Sequence, residues 1–205
     1  TTSIHANLIA KTDLGKVTSK FIINDMDQDD KAAYKGYIVL NDFNIGNLLD
    51  NKNLSLVSVN LDVDGKGFSE KYLDTSLKGD VSKFAYNGYN YKNLKINGNF
   101  KLPLYKGSII IDDPNLKMNF DGLVNLSNKE SKYDFQIKVD NAELNKLHFV
   151  NDSISKFNGD AIVDVQGNSI ENLHGNIYIS NASYVNSKNT YQFNDFNISS
   201  SFDEK

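Results

Sequence analysis

The sequence predicts an all-β fold, and three observations lead to this prediction. Apolar and polar residues alternate in segment after segment along the 205 residues. Short turn sequences rich in Asp, Asn and Gly separate these segments, as they do between the strands of hairpins. No convincing long helix pattern accompanies them. Because successive side chains of a strand point to opposite faces, such alternation gives each strand one apolar and one polar face.

The clearest alternation lies in residues 94–126, on both sides of a turn predicted at residues 112–115. Most apolar residues there occupy even-numbered positions, whereas odd positions such as Lys117, Asn119 and Asp121 are polar and are expected to face water. Residues 133–139 alternate in the same way, with the apolar side chains at odd positions. The predicted apolar face consists of Leu94, Ile96, Phe100, Leu102, Leu104, Leu116, Met118, Phe120, Val124, Leu126, Tyr133, Phe135, Ile137 and Val139.

Further strands are predicted throughout the chain. They cover residues 4–10, 17–23, 34–40, 57–63, 77–84, 161–165, 177–179, 191–193 and 196–198. Asn87-Gly88 predicts a hairpin turn because both residues accept positive φ, and Asp64-Gly65 is interpreted as a second turn. Pro103 predicts an edge or a bulge inside a strand. Residues 44–50 and 69–74 could each form a helical turn or two.

A weak internal repeat relates residues of about 57–100 to residues of about 160–202. Val63-Asp64-Gly65 resembles Val165-Gln166-Gly167, and residues 89–96 resemble residues 191–198, at an offset of about 102 residues. Chance similarity among β-rich segments is the alternative. A repeat favours a sheet that grows by addition of strands, so we interpret residues 1–205 as one repeat-built segment.

Composition excludes several classes of function. The formal net charge is −4 and all 22 basic residues are Lys, so nucleic acid meets neither a basic field nor the arginine fork that recognises guanine and phosphate. The chain has no Cys, and His5, His148 and His174 have no metal-ligand spacing around them. We find no catalytic motif, and we expect no enzyme activity, no cofactor and no metal.

The ends of the chain suggest a piece of a longer protein. The sequence begins at Thr1 without Met or a signal peptide, and no apolar run approaches the ~18 residues of a membrane span. Any anchor or export signal is expected to lie outside these residues.

Residues 68–127 carry a resemblance to a known family. Leu77-Lys78-Gly79, the Tyr-rich residues 87–91, Gly98-Asn99-Phe100 and residues 113–116 resemble the repeat of the TamB family, in its Bacteroidota form. Residues 36–49 are similar to the strand-plus-helical-turn unit of AsmA/TamB proteins. The resemblance extends over about residues 32–205, although outside 77–127 it is a general β pattern.

The resemblance implies both a fold and a function. Family members are anchored in the inner membrane and cross the periplasm of double-membraned bacteria. Their repeats form an elongated sheet folded into an open trough, the β-taco, with an apolar inner face. They are thought to carry phospholipid to the outer membrane, so the fourteen apolar residues above would line a groove for acyl chains. They are also linked to an outer-membrane barrel of the Omp85 type, through regions expected to lie outside this chain.

Two other functions are compatible with the same alternation. The exposed edge of the sheet could pair with unfolded outer-membrane strands, which would make the chain a scaffold for protein assembly. Alternatively, the aromatic residues could fill the core of a compact β-sandwich that serves as an adhesion or carbohydrate-binding module. Alternation by itself does not separate a groove from a sandwich core, because each has one apolar face per sheet.

Overall fold

A computed structural model describes residues 2–127 and 129–200, and it contains fourteen strands. These are β1 (Ser3–Thr12), β2 (Gly15–Asn24), β3 (Ala33–Asn44), β4 (Leu54–Lys66), β5 (Asp74–Tyr86), β6 (Tyr89–Tyr91), β7 (Leu94–Lys101), β8 (Leu104–Asp113), β9 (Leu116–Asn125), β10 (Lys132–Glu143), β11 (Ser155–Gln166), β12 (His174–Asn186), β13 (Thr190–Phe193) and β14 (Phe196–Ser200). The helices in the described residues are α1 (Ile45–Leu49) and a 3₁₀ turn at Ile170–Asn172.

All fourteen strands belong to one antiparallel sheet, which confirms the predicted all-β class. Hydrogen-bonded neighbours follow the order β1-β2-β3-β4-β5-β7-β8-β9-β10-β11-β12-β13, while β6 pairs with β5 and β14 pairs with β12. The sheet is not closed into a barrel. In the described residues no helix is long and apolar enough to cross a membrane.

The chain divides into two compact units, Thr1–Leu102 and Pro103–Lys205, here called unit 1 and unit 2. Each unit contains seven strands in the same sequential order. The pairings also correspond: Phe84 lies between Val57 and Tyr91 in unit 1, and Tyr184 lies between Phe157 and Tyr191 in unit 2. Each unit is therefore a copy of one structural plan.

The equivalence between the units differs by two residues from the alignment found in the sequence. Val63 pairs with Leu77 in unit 1, and its counterpart Val163 pairs with Ile177 in unit 2, which gives an offset of 100. The alignment of Val63 with Val165 is thus out of register. A shift of two residues leaves the alternation of apolar and polar side chains unchanged, so the sequence pattern could not detect it.

Turns and loops follow the local chemistry in most places. Asn87 and Gly88 have φ of 48° and 76° and connect β5 to β6, as predicted. Asp64-Gly65 does not form the predicted turn, because β4 continues to Lys66. Pro103 lies in a turn rather than inside a strand, since β7 ends at Lys101.

The short helical elements are only partly as predicted. Helix α1 forms within residues 44–50, where the Asn44 side chain accepts a hydrogen bond from the N–H of Asn47. Residues 69–74 form hydrogen-bonded turns that do not extend into a helix, with the N–H of Leu73 2.8 Å from the Ser69 oxygen. The 3₁₀ turn of unit 2 occupies the equivalent connection and carried no helix signal in the sequence.

The most buried residues lie near the ends of the strands. Ala32 and Ser131 occupy equivalent positions, and their carbonyl oxygens accept from the N–H groups of Gly67 and Gly167 at 2.9 and 3.0 Å. Leu147 is the largest apolar side chain that is almost fully buried. Between these ends, the strands carry side chains that are mostly half-buried or exposed.

Substitution of Gly79 tests the close approach of β4 and β5. Gly79 has φ of 153°, and a Cβ atom there would lie 2.1 Å from the backbone oxygen of Asn60. We expect Gly79→Ala to lower the free energy of unfolding by about 1–3 kcal/mol, because both the backbone and the strand spacing must adjust. Urea denaturation measures this, with the exposed Lys78→Ala as control. Equal stability of Gly79→Ala and the parent would contradict the geometry.

Candidate functional site

Cross-strand pairing collects the apolar side chains of unit 2 on one face. Met118 of β9 pairs with Ile111 of β8 and with Val139 of β10, so three strands present apolar groups side by side. The pairing of β10 with β11 and of β11 with β12 continues these rows. This unit 2 apolar face comprises Tyr105, Ile109, Ile111, Leu116, Met118, Phe120, Val124, Tyr133, Phe135, Ile137, Val139, Ala161, Val163, Val165, Ile177, Ile179, Phe196 and Ile198.

Unit 1 has a face of the same kind. Leu61 of β4 pairs with Ile38 of β3, and Val63 pairs with Leu77 of β5, so the rows again cross several strands. This unit 1 apolar face comprises Ile4, Ala6, Leu8, Ala10, Val17, Phe21, Ile23, Tyr34, Ile38, Leu40, Val59, Leu61, Val63, Leu77, Val81, Leu94, Ile96 and Phe100.

Most residues of the predicted apolar face lie on these two faces. Unit 1 contains Leu94, Ile96 and Phe100, and unit 2 contains Leu116, Met118, Phe120, Val124, Tyr133, Phe135, Ile137 and Val139. The polar residues of opposite parity, including Lys117, Asn119, Asp121, Asp134 and Lys138, are on the other side of the strands, and most of them are exposed.

Three of the predicted residues lie outside these two faces. Leu102 lies in the turn between β7 and β8 and is 51% exposed, and Leu126 lies beyond the end of β9. Leu104 is in β8 but has the opposite parity to Tyr105 and Ile109, so it points to the other face. The sequence interpretation carried even parity through residues 102–104, but the turn there changes which parity points to a given face.

The sequence interpretation also missed several members of the faces. Ile109 and Ile111 pair directly with Phe120 and Met118, yet the run of three isoleucines concealed their parity. The two-residue turn between β8 and β9 is the signal that could have found these two isoleucines. Asp113 pairs with Leu116 across this turn, so odd positions of β8 share a face with even positions of β9.

An aromatic row crosses the unit 2 apolar face. The ring centroids of Tyr105 and Phe120 are 6.3 Å apart, and those of Phe120 and Phe135 are 5.1 Å apart. Gly122 leaves room for this row, since a Cβ atom there would lie 2.4 Å from the Cα of Phe135. Desolvation by burial, followed by the nearby Asp121 carboxylate, raises the pKa of Tyr105. The row therefore remains uncharged at neutral pH.

Both apolar faces lack a covering layer among the described residues. The two helical elements are five and three residues long, and neither is long enough to cover a strand. Side chains in the middle of the faces, such as Leu61, Phe120 and Ile137, are only half-buried. Part of each apolar face thus remains in contact with water.

Ion pairs on the opposite faces are exposed and add little stability. Lys35 and Asp64 approach to 2.7 Å, and Lys83 and Asp42 to 2.8 Å. Exposed pairs of this kind contribute about 0–1 kcal/mol each, because water screens them. Their charged groups keep the hydrophilic side polar, but they contribute little to the stability of the fold.

A hollow with a volume of about 470 Å³ lies on the hydrophilic side of unit 2 and not on an apolar face. We call it the hydrophilic hollow, and its side chains are those of Ser108, Ile110, Asn119, Asp121, Gln136, Lys138, Asp160, Ile162, Tyr178 and Ser180. Atoms of Phe120, Ile137 and Ala161, which alternate with these residues along the strands, complete its lining.

The described residues contain no group of three or more His, Cys, Asp or Glu side chains that could hold a metal ion. Comparison of the chain with protein-family models, with curated proteins and with solved structures finds no match. A function for this chain must therefore be inferred from the geometry of the two apolar faces and from the chemistry of the side chains in them.

Uncovered apolar faces predict dye binding by the native protein. We expect 8-anilinonaphthalene-1-sulfonate to increase its fluorescence on addition to the folded chain, because its rings can enter a half-exposed apolar face. Ile137→Asp should reduce this increase, whereas Lys138→Asp on the opposite face should not. Near-ultraviolet circular dichroism must show intact tertiary structure in all three proteins. Absence of enhancement in the parent would contradict an uncovered face.

Proposed function

We propose that this chain is a segment of a lipid-carrying protein and that acyl chains lie along its apolar faces. The observation that carries the proposal is the combination of continuous apolar rows with the absence of a second layer over them in the described residues. In a folded domain such a face normally packs against another sheet or a helix. Here an acyl chain would take the place of that layer.

The energetics support this assignment. Each methylene that leaves water contributes about 0.8 kcal/mol, so a two-chain lipid gains strongly from an apolar surface. The unit 2 apolar face offers such contacts from the aromatic row to Ile177 and Ile179 without a charged side chain in its central rows. Asp113 shares its parity but lies at the strand end, is 1% exposed and accepts from the N–H of Asn115 at 2.8 Å.

The proposed substrate is a glycerophospholipid. Its polar headgroup can remain in water because the faces are open, while its chains contact the apolar rows. Together with the resemblance to TamB repeats, this supports a place in the periplasm, in a parent protein anchored in the inner membrane and working with an Omp85-type barrel. Transport along a pre-formed surface needs no nucleotide site in this segment.

Photo-crosslinking tests the lining directly. We expect a photoreactive amino acid at Phe120 or Phe135 to form adducts with labelled phospholipid in cells, because these rings lie on the unit 2 apolar face. The same probe at Lys117 or Lys138 should not, since both side chains are on the opposite face and exposed. Mass spectrometry of the adducts identifies the lipid.

Lipid adducts at none of these positions, in folded protein, would contradict the proposal. A second variant checks function: Phe120→Asp should impair lipid transfer because it places a charge in the aromatic row. Lys117→Asp provides the matched control for an added carboxylate on the opposite face.

The outer edge of β1 supports a second candidate function, the scaffold for assembly of outer-membrane proteins. In the described residues no strand pairs with this edge. All ten residues of β1 pair with β2 without a bulge, and the strand contains no Pro. Ile9 is 87% exposed. A long, regular edge with unpaired backbone groups is suited to pairing with an incoming strand.

Charged substitutions on β1 test this second candidate. We expect the double variant His5→Lys/Ile9→Lys to weaken binding of a ten-residue peptide from an outer-membrane β-strand about ten-fold, because lysines on an edge oppose strand pairing. Fluorescence anisotropy of the labelled peptide measures the affinity. Thr18→Lys serves as control, since Thr18 pairs with Ile9 but lies on the interior strand β2. Equal binding by all variants would exclude pairing at this edge.

The third function considered from the sequence, a compact β-sandwich module, has less support. A sandwich consists of two packed sheets, whereas the fourteen strands in the described residues belong to one sheet.

A further inference from the structure

The hydrophilic hollow of unit 2 contains apolar side chains among polar ones. Ile110, Ile162 and Tyr178 are 45%, 53% and 38% exposed. Ile162 and Tyr178 are direct neighbours because they pair across β11 and β12, whereas Ile110 lines the same hollow from β8, three strands from Ile162. Apolar groups held in water within a polar rim are a mark of a binding surface.

The fold itself does not require these apolar residues. The pair Ile162–Tyr178 of unit 2 corresponds to the pair Asp62–Lys78 of unit 1, at the same place in the same pairing of strands. Unit 1 thus builds this part of the sheet with two charged residues. At this place in the sheet the apolar pair occurs in unit 2 alone, so the plan shared by the two units does not require it.

Polar side chains around the pair Ile162–Tyr178 can form hydrogen bonds with a ligand. Asn119, Asp121 and Gln136 make no side-chain hydrogen bond or ion pair with the described residues, and all three line the hollow. Asp160 also faces it and accepts from Asn181 at 3.0 Å. The rim therefore combines amides, which donate and accept, with carboxylates, which accept.

The charges of the hollow select against anionic ligands. Asp121 and Asp160 contribute two carboxylates, and Lys138 contributes one ammonium group, which lies 3.5 Å from Asp140 on the same strand. Phosphate, sulfate and anionic headgroups would thus meet a net negative surface. A fully apolar ligand would leave the amides and carboxylates of the rim without partners.

Tyr178 is held in place before any ligand arrives. Its hydroxyl donates to Oδ1 of Asp195 at 2.5 Å, and this hydrogen bond is the main cause that raises the pKa of the phenol. Asp195 lies between β13 and β14, so the bond ties the ring to the neighbouring turn. A ring fixed in this way loses little conformational entropy when a ligand packs on it.

We propose that the hydrophilic hollow binds a neutral saccharide. The C–H surface of a sugar ring would pack on Ile162 and Tyr178, while its hydroxyl groups would bond to Asn119, Asp121 and Gln136. A volume of about 470 Å³ lies within the 300–1,000 Å³ typical of small-molecule sites. The hollow and the unit 2 apolar face are on opposite sides of the same strands, so this proposal and the lipid proposal can fail independently.

An NMR titration tests the saccharide site. Maltotriose, cellotriose and chitotriose are added separately to the isotope-labelled chain. We expect at least one of them to shift the amide signals of β10, β11 and β12 that border the hollow. Ile162→Asp and Tyr178→Lys, which install the unit 1 residues, should each weaken binding at least ten-fold. Tyr37→Gln is the matched control, because Tyr37 is similarly exposed and lies on the hydrophilic side of unit 1.

Three results would overturn the proposal. The first is the absence of shifts with all three saccharides, and the second is binding that neither substitution weakens. The third is a response of the same amides to phospholipid vesicles or to an unstructured peptide but to no saccharide. If Tyr178→Lys fails to fold, the Asn119→Ala and Gln136→Ala variants test the same site. Lipid crosslinking at Phe120 should be unchanged in every hollow variant.

Discussion

The register of the backbone hydrogen bonds is the constraint on which the rest of this structure depends. Each strand alternates apolar and polar side chains, but only the register decides whether neighbouring strands place their apolar side chains on the same face. Met118, Ile111 and Val139 form one row because both pairings of β9 keep the parity aligned. A slip of one residue in either pairing would move a strand's apolar set to the opposite side.

Bulges shift the register at defined places, and a glycine makes room for close packing. The pairing of β10 shifts after Val139 on both of its sides, and the equivalent shift in unit 1 occurs after Leu40. Gly122 allows the aromatic row to lie close to the backbone. The bulges recur at related places in the two units, so they belong to the structural plan, whereas the apolar pair of the hydrophilic hollow occurs in one unit.

The two sides of the sheet carry different side chains and are therefore suited to different ligands. A single-layer sheet leaves both of its faces available, and the sequence can specify each one independently through alternate positions. One side carries continuous apolar rows suited to acyl chains, which is the basis of the proposed lipid path. The other side carries exposed ion pairs and, in unit 2, a hollow with mixed polarity. No covering layer needs to be displaced before either side of the described residues can bind.

The sequence by itself determined the all-β class, the hairpin turn at Asn87-Gly88, the helical turn near Asn44 and the parity of β7, β9 and β10, because these depend on local backbone preferences and on a period of two. It did not determine the end of β7, so Leu102 and Leu104 were misplaced. Only the tertiary structure decided the register between strands, the offset of 100 between the units and the pairing of Ile162 with Tyr178. These depend on hydrogen bonds between residues distant in the chain. Alternation along one strand contains no information about those bonds.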